Sequence, residues 1–189
     1  EAARQDDILM NMHIVETHVD SAGGNGRSTI FTSDATCDAV VVFKGTESPA
    51  EWVDNFTGGN VTDTPHQENA LEWYQNAYWQ NGLDQYEVTL SGHSKGGNKA
   101  KYITLLDSTL DHCVSFDGQG FSDEFVDKYS QQIASRQAII ENHNVDYDYV
   151  NLLLNDVGET TYYTGYDYGN GGFLENHCPN TFMKFDENG

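Results

Sequence analysis

Tyr86-Glu87-Val88-Thr89-Leu90-Ser91-Gly92-His93-Ser94-Lys95-Gly96-Gly97-Asn98-Lys99-Ala100-Lys101-Tyr102-Ile103-Thr104-Leu105-Leu106 decides how the rest of the chain is read. Tyr86 to Leu90 has the pattern of a short buried strand, and Gly97 to Leu106 that of a helix. Between them, Gly92 to Gly96 spells G-x-S-x-G, the turn known as a nucleophile elbow. A serine on so tight a turn takes a strained backbone, and the flanking glycines remove side chains that would meet the adjoining strand and helix. The turn presents Ser94 Oγ at a helix N-terminus, where backbone N–H groups and the helix dipole favour a developing negative charge. The plainer alternative is a glycine-rich turn without chemistry. The strand before and the helix after at the required spacing favour the catalytic reading.

The bulk composition narrows the partners. At 189 residues the chain is read as one domain, 1–189, large enough for a substantial core. Hydrophobic residues make up 38% and aromatic residues 12%, which favours a folded globule over disorder. Thirty acidic residues face nine basic ones, a formal net charge of −21. Such a surface repels phosphate backbones and anionic membranes, so no nucleic-acid partner is expected. It suits an extracellular, luminal or salty setting, with a slight lean to the extracellular and a cytoplasmic one left open. There is no apolar run long enough to span a bilayer and no signal-peptide pattern at Glu1. Cys37, Cys113 and Cys178 form no close-spaced metal motif, so no metal is expected, and both one disulfide and three free thiols stay open.

Outward from the elbow, Asp6 to His18 reads as a helix or an edge strand, and Ser21 to Gly26 as a loop. Ser28 to Thr32 and Ala39 to Phe43 read as strands joined by a turn at Ser33 to Thr36. Ala39-Val40-Val41-Val42-Phe43 is apolar throughout, which predicts a central strand buried on both faces. Asn55 to His66 reads as a loop, and Gln67 to Trp79 as a helix whose aromatic residues pack. Past the elbow helix come a strand at Cys113 to Phe116, an amphipathic helix at Ser122 to Ile140 capped by Ser122, a strand at Ala138 to Glu141 and another at Thr160 to Thr164. Strands alternating with helices predict an α/β fold with a largely parallel sheet flanked by helices; with the elbow, that is the α/β-hydrolase fold.

A serine needs a base, and the base an orienting acid. In this fold they follow in chain order Ser, Asp or Glu, His. His143 and His177 lie beyond the elbow helix and the next strand. His177, in Leu174-Glu175-Asn176-His177-Cys178-Pro179, is where the order places the base; His143 would leave little chain for an acid. His93, inside the elbow, reads as structural. Asp146, Asp148 and Asp117 are all candidate acids, since each could sit at the carboxyl edge of the sheet. The oxyanion hole needs two donors: the Lys95 N–H and, from the strand end Phe43-Lys44-Gly45-Thr46, Thr46.

Phe43-Lys44-Gly45-Thr46, Trp52-Val53-Asp54-Asn55 and Gly92-His93-Ser94-Lys95-Gly96-Gly97 together resemble the class 3 (fungal-type) lipase pattern. Phe116-Asp117-Gly118-Gln119-Gly120-Phe121 and His177-Cys178-Pro179 are similar to a bacterial lipase-like branch of the α/β-hydrolases. The resemblance covers roughly residues 38 to 182. It implies Ser94 as nucleophile, His177 as base, and Thr46 with Lys95 as oxyanion donors. The family's D-x-V segment matches Asp148-Tyr149-Val150, which ranks Asp148 ahead of Asp146 and Asp117. Lys44 stands where the family has arginine, and Lys95 where it has an apolar residue; the N-terminal region has no clear match.

The activity expected is hydrolysis of a small-molecule or lipid acyl ester through an acyl-enzyme, with no cofactor. The stretch Thr57 to Asn69, where a lid would lie, is almost wholly polar and points to short or dispersed esters. An acyltransferase or peptidase with the same triad, or a silent binding domain on the same fold, are the alternatives. Tyr162, Tyr163, Tyr166 and Tyr168 read as packing residues rather than lining of an acyl site.

Overall fold

The computed structural model describes residues 10–19, 26–45, 62–165 and 173–182. Seven strands run in chain order across one sheet: β1 (His13–Val19), β2 (Arg27–Ser33), β3 (Asp38–Phe43), β4 (Glu87–His93), β5 (His112–Phe116), β6 (Ile140–Val145) and β7 (Glu159–Tyr163). The first three pair antiparallel, so of the segment read as a helix or an edge strand, the part from His13 on is an edge strand, and residues 6–9 lie outside the described residues. From β3 to β7 every pair is parallel. The parallel part places the ends of β4, β5 and β6 side by side, with Gly92 opposite Ser115 and Phe116 opposite His143. Active sites of parallel sheets form at that edge.

Helix α1 (Pro65–Gln80) begins two residues before the predicted start. The reason is a capping box: the Gln67 N–H donates to Thr64 Oγ1 at 3.3 Å, and the Thr64 N–H donates to Gln67 Oε1 at 2.9 Å. Pro65 sits in the first turn, where its missing N–H costs nothing. Positions 65–69, read from sequence as part of a polar lid stretch, are therefore helix; positions 57–61 lie outside the described residues.

The elbow helix α2 (Lys95–Leu106) lies against β3, β4 and β5 and packs on α1. It is so enclosed that every residue from Gly96 to Leu105 is buried. Val41, Leu90, Ile103 and Ile140 are fully buried in the core between helix and sheet. Truncating one of these to alanine costs about 2–5 kcal/mol.

Two predicted features come out differently. The helix over Ser122 to Ile140 is two short helices, α3 (Asp123–Lys128) and α4 (Ser130–Arg136), then a 3₁₀ turn at Gln137–Ile139. The break is at Tyr129, whose φ of −106° and ψ of 22° leave the helical region. In that conformation its ring meets Phe125 at 4.7 Å, and its hydroxyl donates to Asp63 Oδ1 at 2.9 Å. Strand β3 is buried on one face, through Ala39, Val41 and Phe43, while Val42 on the other is 36% exposed. The described helices that contact the sheet cover the first face, so the apolar run marks a strong strand former more than two-sided burial.

Candidate active site

At the end of β4, Ser94 takes φ 60° and ψ −125°, a conformation L-residues avoid. Its surroundings enforce the turn. A Cβ on Gly96 would lie 2.0 Å from the Phe43 carbonyl oxygen, and one on Gly92 would lie 2.3 Å from the Gly96 carbonyl carbon. Strand and helix therefore approach to backbone contact, and the Ser94 N–H donates to the Phe116 carbonyl at 2.9 Å. Ser94 is 4% exposed, and Lys95 opens α2. The end of β3 lies against the serine as well: a Cβ on Gly45 would sit 3.3 Å from Ser94 Cβ. Thr46, the other expected oxyanion donor, lies outside the described residues.

The candidate base and the candidate acid meet across 29 residues of chain. His177 follows the short helix α5 (Phe173–Asn176), and its Nδ1 lies 2.8 Å from Asp148 Oδ2. Both are buried: Asp148 is inaccessible and His177 is 5% exposed. Asp148 stands in the tight turn after β6, held by its own N–H to the Val145 carbonyl and by the Val150 N–H, which donates to its other oxygen at 3.0 Å. Asn176 donates to the Tyr147 carbonyl at 3.3 Å, tying the histidine's loop to the aspartate's. Such a pair fixes one imidazole tautomer and stabilises the imidazolium when it forms.

Of the other candidates, Asp146 is turned away. Its N–H donates to the Tyr163 carbonyl, and its carboxylate accepts from Thr164 Oγ1 at 3.3 Å. It borders a cleft of about 600 Å³ lined by Tyr147, Tyr149, Leu152 and Tyr162. Tyr162 and Tyr163 are 54% and 40% exposed, so they are not the core packing residues the sequence suggested; Tyr163 instead meets His143 Nδ1 through its hydroxyl at 2.8 Å. That contact occupies His143 on β6. Tyr166 and Tyr168 lie outside the described residues.

Asp117, ranked last, sits deepest. It ends β5 with φ 46° and is inaccessible. One carboxyl oxygen accepts from the Val145 N–H at 2.7 Å and from Asn151 Nδ2 at 2.8 Å. Its other oxygen is buried and meets no donor among the described residues, and the Asp148 carboxyl lies beside it. Burial pushes the Asp117 carboxyl up to about 7, and the neighbouring Asp148 charge adds to that against the lowering effect of its two donors.

His93 has a part the sequence did not assign. Its ring meets that of His177 with centroids 4.5 Å apart. A ring nitrogen of each and a carboxyl oxygen of Asp117 all lie within 4.8 Å of one another. Burial holds His93 down to about 4, helped by the nearby His177, so its ring is neutral near pH 7. Beneath the acid loops, Lys101 is buried on α2, pairs with Asp156 and donates to the Gly118 carbonyl. One turn earlier, Asn98 accepts from Gln67 Nε2 at 2.7 Å and donates to the carbonyls of Gln119 and Gly120. These two polar residues, on the face of the helix that continues from Ser94, fasten the loop after β5 to the elbow. Cys37, Cys113 and Cys178 are free thiols.

The family model described as a Tle-like phospholipase domain matches residues 2–170. No curated protein sequence gives a significant match. Among solved structures, the chain is similar to the Lip2 lipase of Yarrowia lipolytica at 13% identity and a TM-score of 0.56, over 80% of this chain and 65% of that one. It is similar to Rhizomucor miehei lipase in its propeptide complex at 16% identity and a TM-score of 0.59, over 82% and 57%. For lipase II of Rhizopus niveus the values are 17% and 0.53, over 75% and 60%. The chain thus spans less than two thirds of the length of these lipases, and at such identities the likeness establishes the fold, that of the α/β-hydrolases.

Proposed function

We propose that this chain, which belongs to the Tle-like phospholipase domain family, is a serine carboxylic-ester hydrolase working as one domain. The observation that carries the reading is the buried His177 Nδ1–Asp148 Oδ2 contact of 2.8 Å, with the His177 ring against that of His93, the residue before a serine held at φ 60° on a nucleophile elbow. In this reading His177 takes the Ser94 proton as Oγ attacks the acyl carbonyl. The Lys95 and Thr46 N–H groups hold the tetrahedral oxyanion. His177 then protonates the departing alcohol and next activates the water that hydrolyses the acyl-enzyme, while Asp148 orients the imidazole. None of these steps calls on a metal or cofactor.

The sequence favours short or dispersed acyl esters, because the stretch ahead of α1 is polar and the net charge of −21 opposes approach to an anionic surface. The family's description favours a phospholipid acyl ester as a second reading. Turnover of nitrophenyl esters of increasing chain length, beside fatty-acid release from phosphatidylcholine vesicles, separates the two. A maximum at short chains with vesicles untouched supports the first; vesicle hydrolysis exceeding that of the short esters replaces it with the second.

A further inference from the structure

We propose that Asp117 is a positioning residue, a second carboxyl that shares one proton with Asp148, so that the pair holds a single negative charge behind His177. The proposal rests on the Ser94–His177–Asp148 reading and adds a residue to it.

Three features of the site lead there. First, Asp117 and Asp148 are both inaccessible, and their carboxyls lie together where β5 and β6 end. Two carboxylates so placed cannot both ionise cheaply without a cation between them. Secondly, among the described residues the neighbouring basic groups do not serve that purpose. Lys101 is directed to Asp156 and to the Gly118 carbonyl rather than to Asp117. His93 is held neutral, and His177 already faces Asp148. Among the described residues, the donors to Asp117 are the Val145 N–H and the Asn151 amide, both on the same oxygen. Thirdly, the other oxygen of Asp117 is buried without a donor among the described residues. As a carboxylic acid, Asp117 supplies an O–H there for the Asp148 carboxylate to accept. The array then runs from the His177 N–H to the Asp148 carboxylate to the Asp117 acid, with one net charge and no buried acceptor crowding another. Burial of the Asp117 carboxyl acts in the same direction.

This arrangement has a specific consequence for replacing Asp148. In Asp148→Asn the like charge is gone, so Asp117 ionises. The introduced side-chain amide then bridges, its oxygen accepting from the His177 N–H and its NH2 donating to the Asp117 carboxylate in exchange for the acceptor that the Val150 N–H loses, and the negative charge returns one residue further back. Removing the acid of a serine triad usually lowers kcat by about 10⁴; here Asp148→Asn is expected to lower kcat/KM by about 10²-fold, with Asp117 as the remaining anion. Asp117→Asn keeps both an acceptor for Val145 and Asn151 and a donor to Asp148, so it is expected to cost about 3- to 5-fold. The double variant has no anion behind His177 and is expected to fall about 10-fold or more below the product of the single losses.

The experiment is this double-mutant cycle on nitrophenyl butyrate, with a pH titration of the aspartate carboxyl carbons in uniformly ¹³C-labelled wild type by NMR. One aspartate carboxyl titrating near neutral pH, together with the excess loss in the double variant, supports the pair. Losses that simply multiply, or every aspartate carboxyl already ionised at pH 5, overturn it. The titration needs no variant to fold and no turnover. If instead Asp148→Ala and Ser94→Ala keep full activity, the triad reading itself has failed, whatever the titration shows.

Discussion

The serine end and the acid end of this site are built from opposite materials. Around Ser94 the structure is backbone against backbone: Gly92, Gly96 and the carbonyl of Phe43 touch, and the strain at φ 60° is held by that contact. Around Asp148 and Asp117 it is buried side-chain polarity. Two carboxyls, Asn151, Asn98 and Lys101 are all enclosed, each held by named hydrogen bonds. The first kind of structure tolerates no added atom. The second tolerates changes of shape but not of charge or hydrogen-bonding capacity. The two ends should therefore break in different ways.

Gly96→Ala tests the serine end most severely. Its Cβ would overlap the Phe43 carbonyl oxygen, backbone that can retreat only by moving β3. A loss above about 4 kcal/mol is expected, read as a collapsed denaturation midpoint with activity lost alongside. At the acid end Asp148→Ala should leave the fold in place and lower kcat/KM by about 10³- to 10⁴-fold, since the acceptor of the His177 N–H is gone and no side chain bridges the imidazole to Asp117. Near-native circular dichroism with that kinetic loss would sharpen the contrast; unfolding would blur it. Lys101→Met removes the buried cation from Asp156 and Gly118 and should cost about 3 kcal/mol in a urea melt, because Asp156 keeps partial access to water and other donors.

The smallest effects are pH slopes. Asp117 is raised to about 7 from an ordinary carboxylate value, so its contribution to stability is full below the unfolded value, about 4, and is lost as pH rises towards 7. His93 is lowered to about 4, so its contribution is present above about 6.5 and is lost as pH falls. The Tm of Asp117→Asn relative to wild type should therefore climb from pH 5 to pH 8. That of His93→Gln should climb in the other direction, from pH 7 to pH 4.5. Parallel slopes would mean that these groups do not differ as their burial implies.

The same contrast explains what could be read from the sequence. The elbow was legible because backbone contact leaves only glycine as an option, and G-x-S-x-G between strand and helix records that constraint directly. His177 followed from chain order, and Asp148 from the D-x-V resemblance; the structure joins these two, whereas nothing in the spacing separated Asp148 from Asp146. Asp117 was legible as a strand-end aspartate, but its depth was not, because burial of a lone carboxyl depends on loops from elsewhere in the chain. Asn98 and Lys101 were missed for a related reason. A polar residue on a helix reads as solvent-facing, and α2 is buried all round, so no amphipathic pattern marked the side facing the acid loops. The 122–140 segment looked like one helix because periodicity continues across Tyr129, while the break is set by its tertiary contacts with Phe125 and Asp63.

The most direct test of the whole reading is fluorophosphonate labelling, with nitrophenyl butyrate turnover in parallel, of wild type, Ser94→Ala, His177→Ala and Asp148→Ala, each shown to be folded. Labelling of wild type that vanishes with Ser94→Ala and falls at least about 10³-fold in rate with His177→Ala is the expected result. Folded wild type that neither labels nor turns over, or labelling that survives Ser94→Ala, would contradict it and leave the elbow as architecture alone.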